Sequence, residues 1–133
     1  MFDVEQIIEK VRLRPSMYIG WHSIYALKVF LSGYETSLYE NFNWQSESES
    51  LCFGHWVEYR YKINNSFWPW PRILHHVAGN EDKALDLFFE LWPLYLKERD
   101  SFKITVSRMS FDYPKDSVTN EMSERFHDLG RNI

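Results

Sequence analysis

Few side chains in this 133-residue sequence could do chemistry, and they are scattered. His75 and His76 are neighbours, and adjacent side chains on a helix diverge by about 100°, so this pair cannot chelate one metal ion. His22, His55 and His127 stand singly, without the i, i+4 spacing of a helical metal pair. Cys52 with a distant histidine would make a nucleophile and base on paper. It stands, however, beside Phe53 and Trp56 on an apolar stripe, where a thiol is ordinarily inert core material. The residues therefore predict no catalytic group, no metal and no cofactor, and the chain reads as a non-enzyme.

Three groups suit binding instead. The acids Glu47, Glu49, Glu81, Asp82, Asp86 and Glu90 form either a solvated face with helix-dipole partners or a docking surface for a cationic protein. Trp68 and Trp70, interleaved with Pro69 and Pro71, make either a packed corner or an aromatic anchor. Without basic residues between them they do not form a nucleic-acid platform. The run Arg14, Pro15, Ser16, Met17, Tyr18, Ile19, Gly20 reads as a structured connection whose Met17, Tyr18 and Ile19 plug the core while Gly20 permits the turn. The alternative is that Arg12, Arg14 or Tyr18 contacts a partner.

Composition narrows the partner. Fifteen Lys and Arg against nineteen Asp and Glu leave a net charge of -4, the wrong sign for a protein held on nucleic acid by charge. The acidic excess falls in residues 45–100, with nine acids and six bases, so a basic protein is the natural partner. One cysteine excludes an intramolecular disulfide, and no uninterrupted apolar run approaches 18 residues. The opening residues are too acidic for a signal peptide, so a cytoplasmic chain without membrane contact is expected. An aromatic share of 18% makes a sizeable core attainable in a single domain over residues 1–133.

The elements that must position these residues are helices. Asp3 and Gln6 form a capping box, Phe2 can staple onto Ile7, and Val4, Ile7, Ile8 and Val11 share one face until Pro15 ends the helix. Ile24, Leu27, Phe30, Leu31, Tyr34 and Leu38 predict a second helix over 23–39, in which Gly33 marks a close helix crossing or, the reading preferred, is merely tolerated. Residues 43–50 read as a solvated loop. Cys52, Phe53, Trp56, Tyr59 and Ile63 fit a helical stripe, and the competing alternation at 57–63 lacks a partner strand, so helix is the reading taken. Pro71 suits the first position of a short helix that Gly79 closes. Asn80 caps a long helix carrying Leu85, Phe88, Phe89, Trp92, Tyr95 and Leu96, with Pro93 expected to kink it near Phe89. Beyond residue 100 the pattern weakens into a tail over 101–133. Phe102, Ile104 and Val106 alternate as a short strand or extended stretch, and residues 120–129 suit a last amphipathic turn. The fold class is a mostly α, single-domain bundle of about five or six helices.

The run from Val11 to Gly20 resembles the opening motif of the ATPase domain of the DNA gyrase B subunit, and Ile73-Leu74-His75-His76-Val77 echoes that family's magnesium-binding helix. The phosphate-cradling glycine loop that such an ATPase needs is missing, so this likeness is a decoy. Taken with Phe30-Leu31-Ser32-Gly33-Tyr34, the Trp56 segment and the stretch from Asn80 to Leu91, the same motif is similar to small bacterial immunity proteins. These are encoded beside polymorphic toxins, including contact-dependent growth inhibition systems, and some pair with EndoU-type ribonucleases. The resemblance spans about residues 1–100. It implies a helical inhibitor that covers the active site of a toxin C-terminal domain; charge and ring chemistry then make that domain basic and place Glu47, Glu49, Asp82, Asp86 and Glu90 at the interface with Trp68 or Trp70 as anchor, and the free chain is expected to be a monomer. A helical regulatory or scaffold module with another protein partner is the alternative.

Overall fold

The computed structural model describes residues 2–44, 48–63 and 68–112, the last ten by backbone alone. Six helices follow one another: α1 (Val4–Leu13), α2 (Pro15–Ile19), α3 (Ile24–Phe42), α4 (Glu49–Arg60), α5 (Trp70–Ala78) and α6 (Glu81–Asp112). No strand occurs among the described residues, so the architecture is the mostly α bundle that the periodicity predicts.

The caps fall where the sequence places them. The Gln6 amide donates to Asp3 Oδ1 at 2.8 Å, and the Asp3 amide donates to Gln6 Oε1 at 3.0 Å, starting α1 with two orphan donors satisfied. Ser23 is buried and its Oγ accepts the amides of Tyr25 and Ala26, which starts α3. That helix runs three residues past Tyr39 and stops at Asn43, whose backbone turns left-handed. Gly33 lies on an exposed face where an added Cβ would meet nothing, as tolerance requires. Ser48 caps α4 through the Leu51 amide, so the expected loop over 43–50 ends early and Glu49 belongs to a helical first turn.

The run after Arg14 differs from the sequence reading at one position. Pro15 opens the five-residue α2, Ile19 is buried and Tyr18 packs edge-on against Phe30, while Met17 is 71% exposed. Residues 17 and 19 diverge by about 200° on a helix, so a single turn cannot send both inward. Gly20 then turns the chain with φ of +84°, a conformation costly for any residue with a Cβ.

Residues 51–63 are helical through Arg60. Phe53, Trp56 and Val57 are fully buried, whereas Tyr59 is half-exposed. Phe53 is the hub of the core: Phe88, Trp70, Tyr95, Trp92 and Trp56 all place their ring centres within 5.0 to 5.8 Å of its own. Gly54 lets α5 come this close, because a Cβ there would sit 3.0 Å from Trp70 Cδ1. Pro69 caps α5, which makes Pro71 its second residue rather than its first. Gly79, at φ of +100°, closes that helix, and Asn80 Oδ1 accepts the Lys83 amide at 2.8 Å to open the next.

α6 packs on α3, α4 and most extensively on α5. It is continuous through the exposed Pro93. The extended stretch expected at Phe102, Ile104 and Val106 is instead part of this helix: no strand offers it a partner, and Phe102 lies two turns after Tyr95 on the same face, buried against Tyr59. The turn expected at 120–129 lies outside the described residues.

Removing the hub is expected to be costly. Phe53→Ala should lower the unfolding free energy by about 3–5 kcal/mol in a urea titration, and a loss below about 1 kcal/mol would show that the ring cluster does not hold the bundle. Gly33→Ala, in open space on a helix, should raise it by up to about 1 kcal/mol.

Candidate functional site

Two surface features are built on α6, one at its start and one past its middle. At its N-terminal end, Asp82 and Asp86 lie one turn apart and Glu90 continues the exposed stripe. His22 Nε2 stands 2.8 Å from Asp86 Oδ1 and 3.5 Å from Asp82 Oδ1. This contact ties the α2–α3 connection to α6. Trp21, the sequence neighbour of His22, is 62% exposed, and Met17 on α2 is 71% exposed. An exposed ring and thioether in this part of the chain, with exposed carboxylates on α6, suit a partner that is both apolar and cationic.

At Asp100, fourteen residues after Asp86 and about 20 Å away by the helical rise, a cavity of about 600 Å³ opens between the starts of α1 and α4, the end of α3 and the middle of α6. Arg99 Nη1 lies 2.5 Å from Glu5 Oε1 and 3.3 Å from Glu49 Oε1, joining α1, α4 and α6. The Tyr95 hydroxyl donates to Glu49 Oε2 at 2.6 Å. Burial, and then this carboxylate, hold the Tyr95 phenol far above the ordinary tyrosine range. Burial works to weaken the Arg99 proton affinity, but Glu5 and Glu49 outweigh it and the net shift is upward. Glu35 is buried on the floor of α3 and accepts the Ser50 amide through Oε1 at 3.3 Å. Leu38, Tyr39 and Trp44 supply apolar and aromatic wall.

The cavity gathers the charge of the molecule. Its lining carries the carboxylates of Asp3, Glu5, Glu35, Glu49 and Asp100 against the one guanidinium of Arg99, formally -4. That equals the charge of the entire chain, so the other fourteen acids are matched by the other fourteen bases.

Among the residues singled out in the sequence, Asp82, Asp86 and Glu90 are brought together on one exposed face. Glu49 is not on that face; it is drawn inward by Tyr95 and Arg99. Trp70 is 5% exposed, donates its ring N–H to Ser50 Oγ and packs on Phe53 and Phe88, so it serves the core and is not a surface anchor. Trp68 is half-buried, with the Arg72 guanidinium 3.7 Å over its ring and His76 at 4.4 Å. Glu47 lies outside the described residues. The sequence reading missed Trp21, His22, Glu35 and Arg99. Glu35 had a signal, being a carboxylate on the Leu27, Leu31, Leu38 stripe.

Among the described residues no group of three or more His, Cys, Asp or Glu is placed to hold a metal ion, and no helix is long and apolar enough to cross a membrane. The class these features define is an all-α bundle with an acid-lined cavity and an exposed aromatic turn. The chain matches no family model, no curated protein and no solved structure.

One further carboxyl is perturbed. Burial pushes Glu58, half-buried on α4, up to about 7. The folded chain then holds this proton more tightly than the unfolded chain, whose glutamate titrates near 4.5. Stability therefore falls as pH rises between these values and levels off above about 7. Glu58→Gln removes the effect: its Tm should match the wild type near pH 4 and exceed it at pH 8, and a difference that does not grow over this range would contradict the assignment.

Proposed function

We propose that this protein is an immunity protein: it binds the basic catalytic domain of a cognate bacterial toxin, a nuclease, and neutralises it by covering the active site. The observation that carries the reading is the exposed Asp82, Asp86 and Glu90 stripe, to which His22 ties the connection that bears the exposed Trp21. A nuclease must attract phosphates, so its cleft is cationic, and an acidic face complements it while an exposed indole supplies the buried anchor. The likeness of the Arg14 to Gly20 run and of residues 80–91 to small bacterial immunity proteins supports the same reading. The proposed interface keeps Asp82, Asp86 and Glu90 from the sequence expectation and replaces Trp68 and Trp70 with Trp21.

The test is growth of cells producing the toxic C-terminal domain encoded directly upstream, with and without this chain. The wild type should restore growth. A Trp21→Ala, Asp82→Lys, Asp86→Lys variant with unchanged helical circular dichroism should fail to do so, its affinity for the purified domain falling by about thirtyfold or more, as loss of one hot spot of about 2 kcal/mol already implies. No rescue by the wild type, or equal rescue by the variant, would remove the proposal.

A further inference from the structure

From the two sulfurs among the described side chains we infer a modification site: a hydroperoxide converts Met17 to its sulfoxide while the bundle stays folded, and the change weakens the partner contact made by residues 14–22. The modification stands apart from the reading above; only its consequence for a partner rests on that reading.

The structure treats the two sulfurs in opposite ways. Met17 is 71% exposed, against 9% for Cys52, which belongs to the core. The shortness of α2 is the reason. In five residues it sends Ile19 inward and Tyr18 against Phe30, which leaves Met17 on the outer side. Leu13 and Trp21, four positions to either side in sequence, are exposed as well.

Access decides which sulfur reacts. A thiol buried in apolar surroundings keeps its proton and is inert, whereas a thioether has no proton to lose and needs only an open lone pair. In the step itself the Met17 sulfur attacks one peroxide oxygen. An S–O bond forms and the O–O bond breaks, the sulfur gives up two electrons, and the departing hydroxide takes the proton of the transferred oxygen and leaves as water. The fold does not depend on the group that changes. Ile19 in the core, Tyr18 on Phe30 and the backbone turn at Gly20 hold this stretch, and none of them needs the thioether. A partner that buries Met17 does need it, because a flexible apolar side chain becomes a polar one that must be desolvated. Methionine sulfoxide is reducible enzymatically, so the switch is reversible.

The test treats the full chain with hydrogen peroxide and follows its peptides by mass, with N-acetyl-methionine methylamide in the same tube as the fully open reference. Met17 should gain one oxygen at a rate within about threefold of that reference, with Cys52 unmodified and the helical circular dichroism unchanged. A Met17 rate more than about tenfold below the reference, Cys52 oxidation that keeps pace, or helical signal lost as Met17 reacts would overturn the site. The consequence is then read with the purified toxin domain. Oxidised wild type should bind about tenfold more weakly than untreated protein, and methionine sulfoxide reductase should restore the affinity. Met17→Leu, an exposed change that leaves the core intact, should bind equally before and after peroxide. Undiminished binding by oxidised wild type, or a loss that Met17→Leu shares, would overturn the switch. A domain that the untreated chain does not bind removes the proposed function and the switch together, while the peptide rates still decide the modification site.

Discussion

The packing of Phe53 among the rings of α4, α5 and α6 is the constraint from which the rest of the structure follows. An aromatic core of this kind gains a large buried area per residue and, through edge-on contacts, a preferred geometry as well. The cluster is also directional. Its Tyr95 ring touches Phe53 on the inner side and passes its hydroxyl to Glu49 on the outer side, and Glu49 in turn faces Arg99, which reaches Glu5 on α1. One continuous chain of contacts thus runs from the centre of the core to the rim of the cavity, fixing the α1 terminus against the α6 helix.

The same helix carries both surface features, which explains why they are held at a set separation. α6 is continuous from Asp82 to Asp100, and each feature is fastened to it by a polar contact with another element: His22 from the α2–α3 connection near its start, Glu5 from α1 past its middle. A partner that engaged both would meet a fixed geometry rather than one assembled on binding, which lowers the ordering cost of association. Concentrating the formal charge of the molecule in one cavity, with the rest of the surface balanced, gives that geometry a polarity.

Local signals were the legible part of the sequence. Caps at Asp3, Ser23 and Asn80, the stop at Gly79 and the stripes of α1, α3 and α6 are written in neighbouring residues, and the structure follows them. What depended on distant partners was not legible. Glu49 looked like a loop acid because the residues that draw it inward, Tyr95 and Arg99, lie almost fifty positions away. Whether Trp70 was a packed corner or a surface anchor could not be read locally, because the small Gly54 that admits it is in another helix. Met17 looked like core because its run is apolar, although a single helical turn has only one inward side. The alternation at Phe102 failed for the converse reason: a strand needs a neighbour, and a helix already under way does not.

Amide hydrogen exchange of the chain alone and in the presence of the proposed partner, a basic toxin catalytic domain, is the most direct measurement. The account predicts slowed exchange over residues 14–22 and 81–90, which carry the exposed indole and the acidic stripe. Protection confined to α5, or no change anywhere, would contradict it.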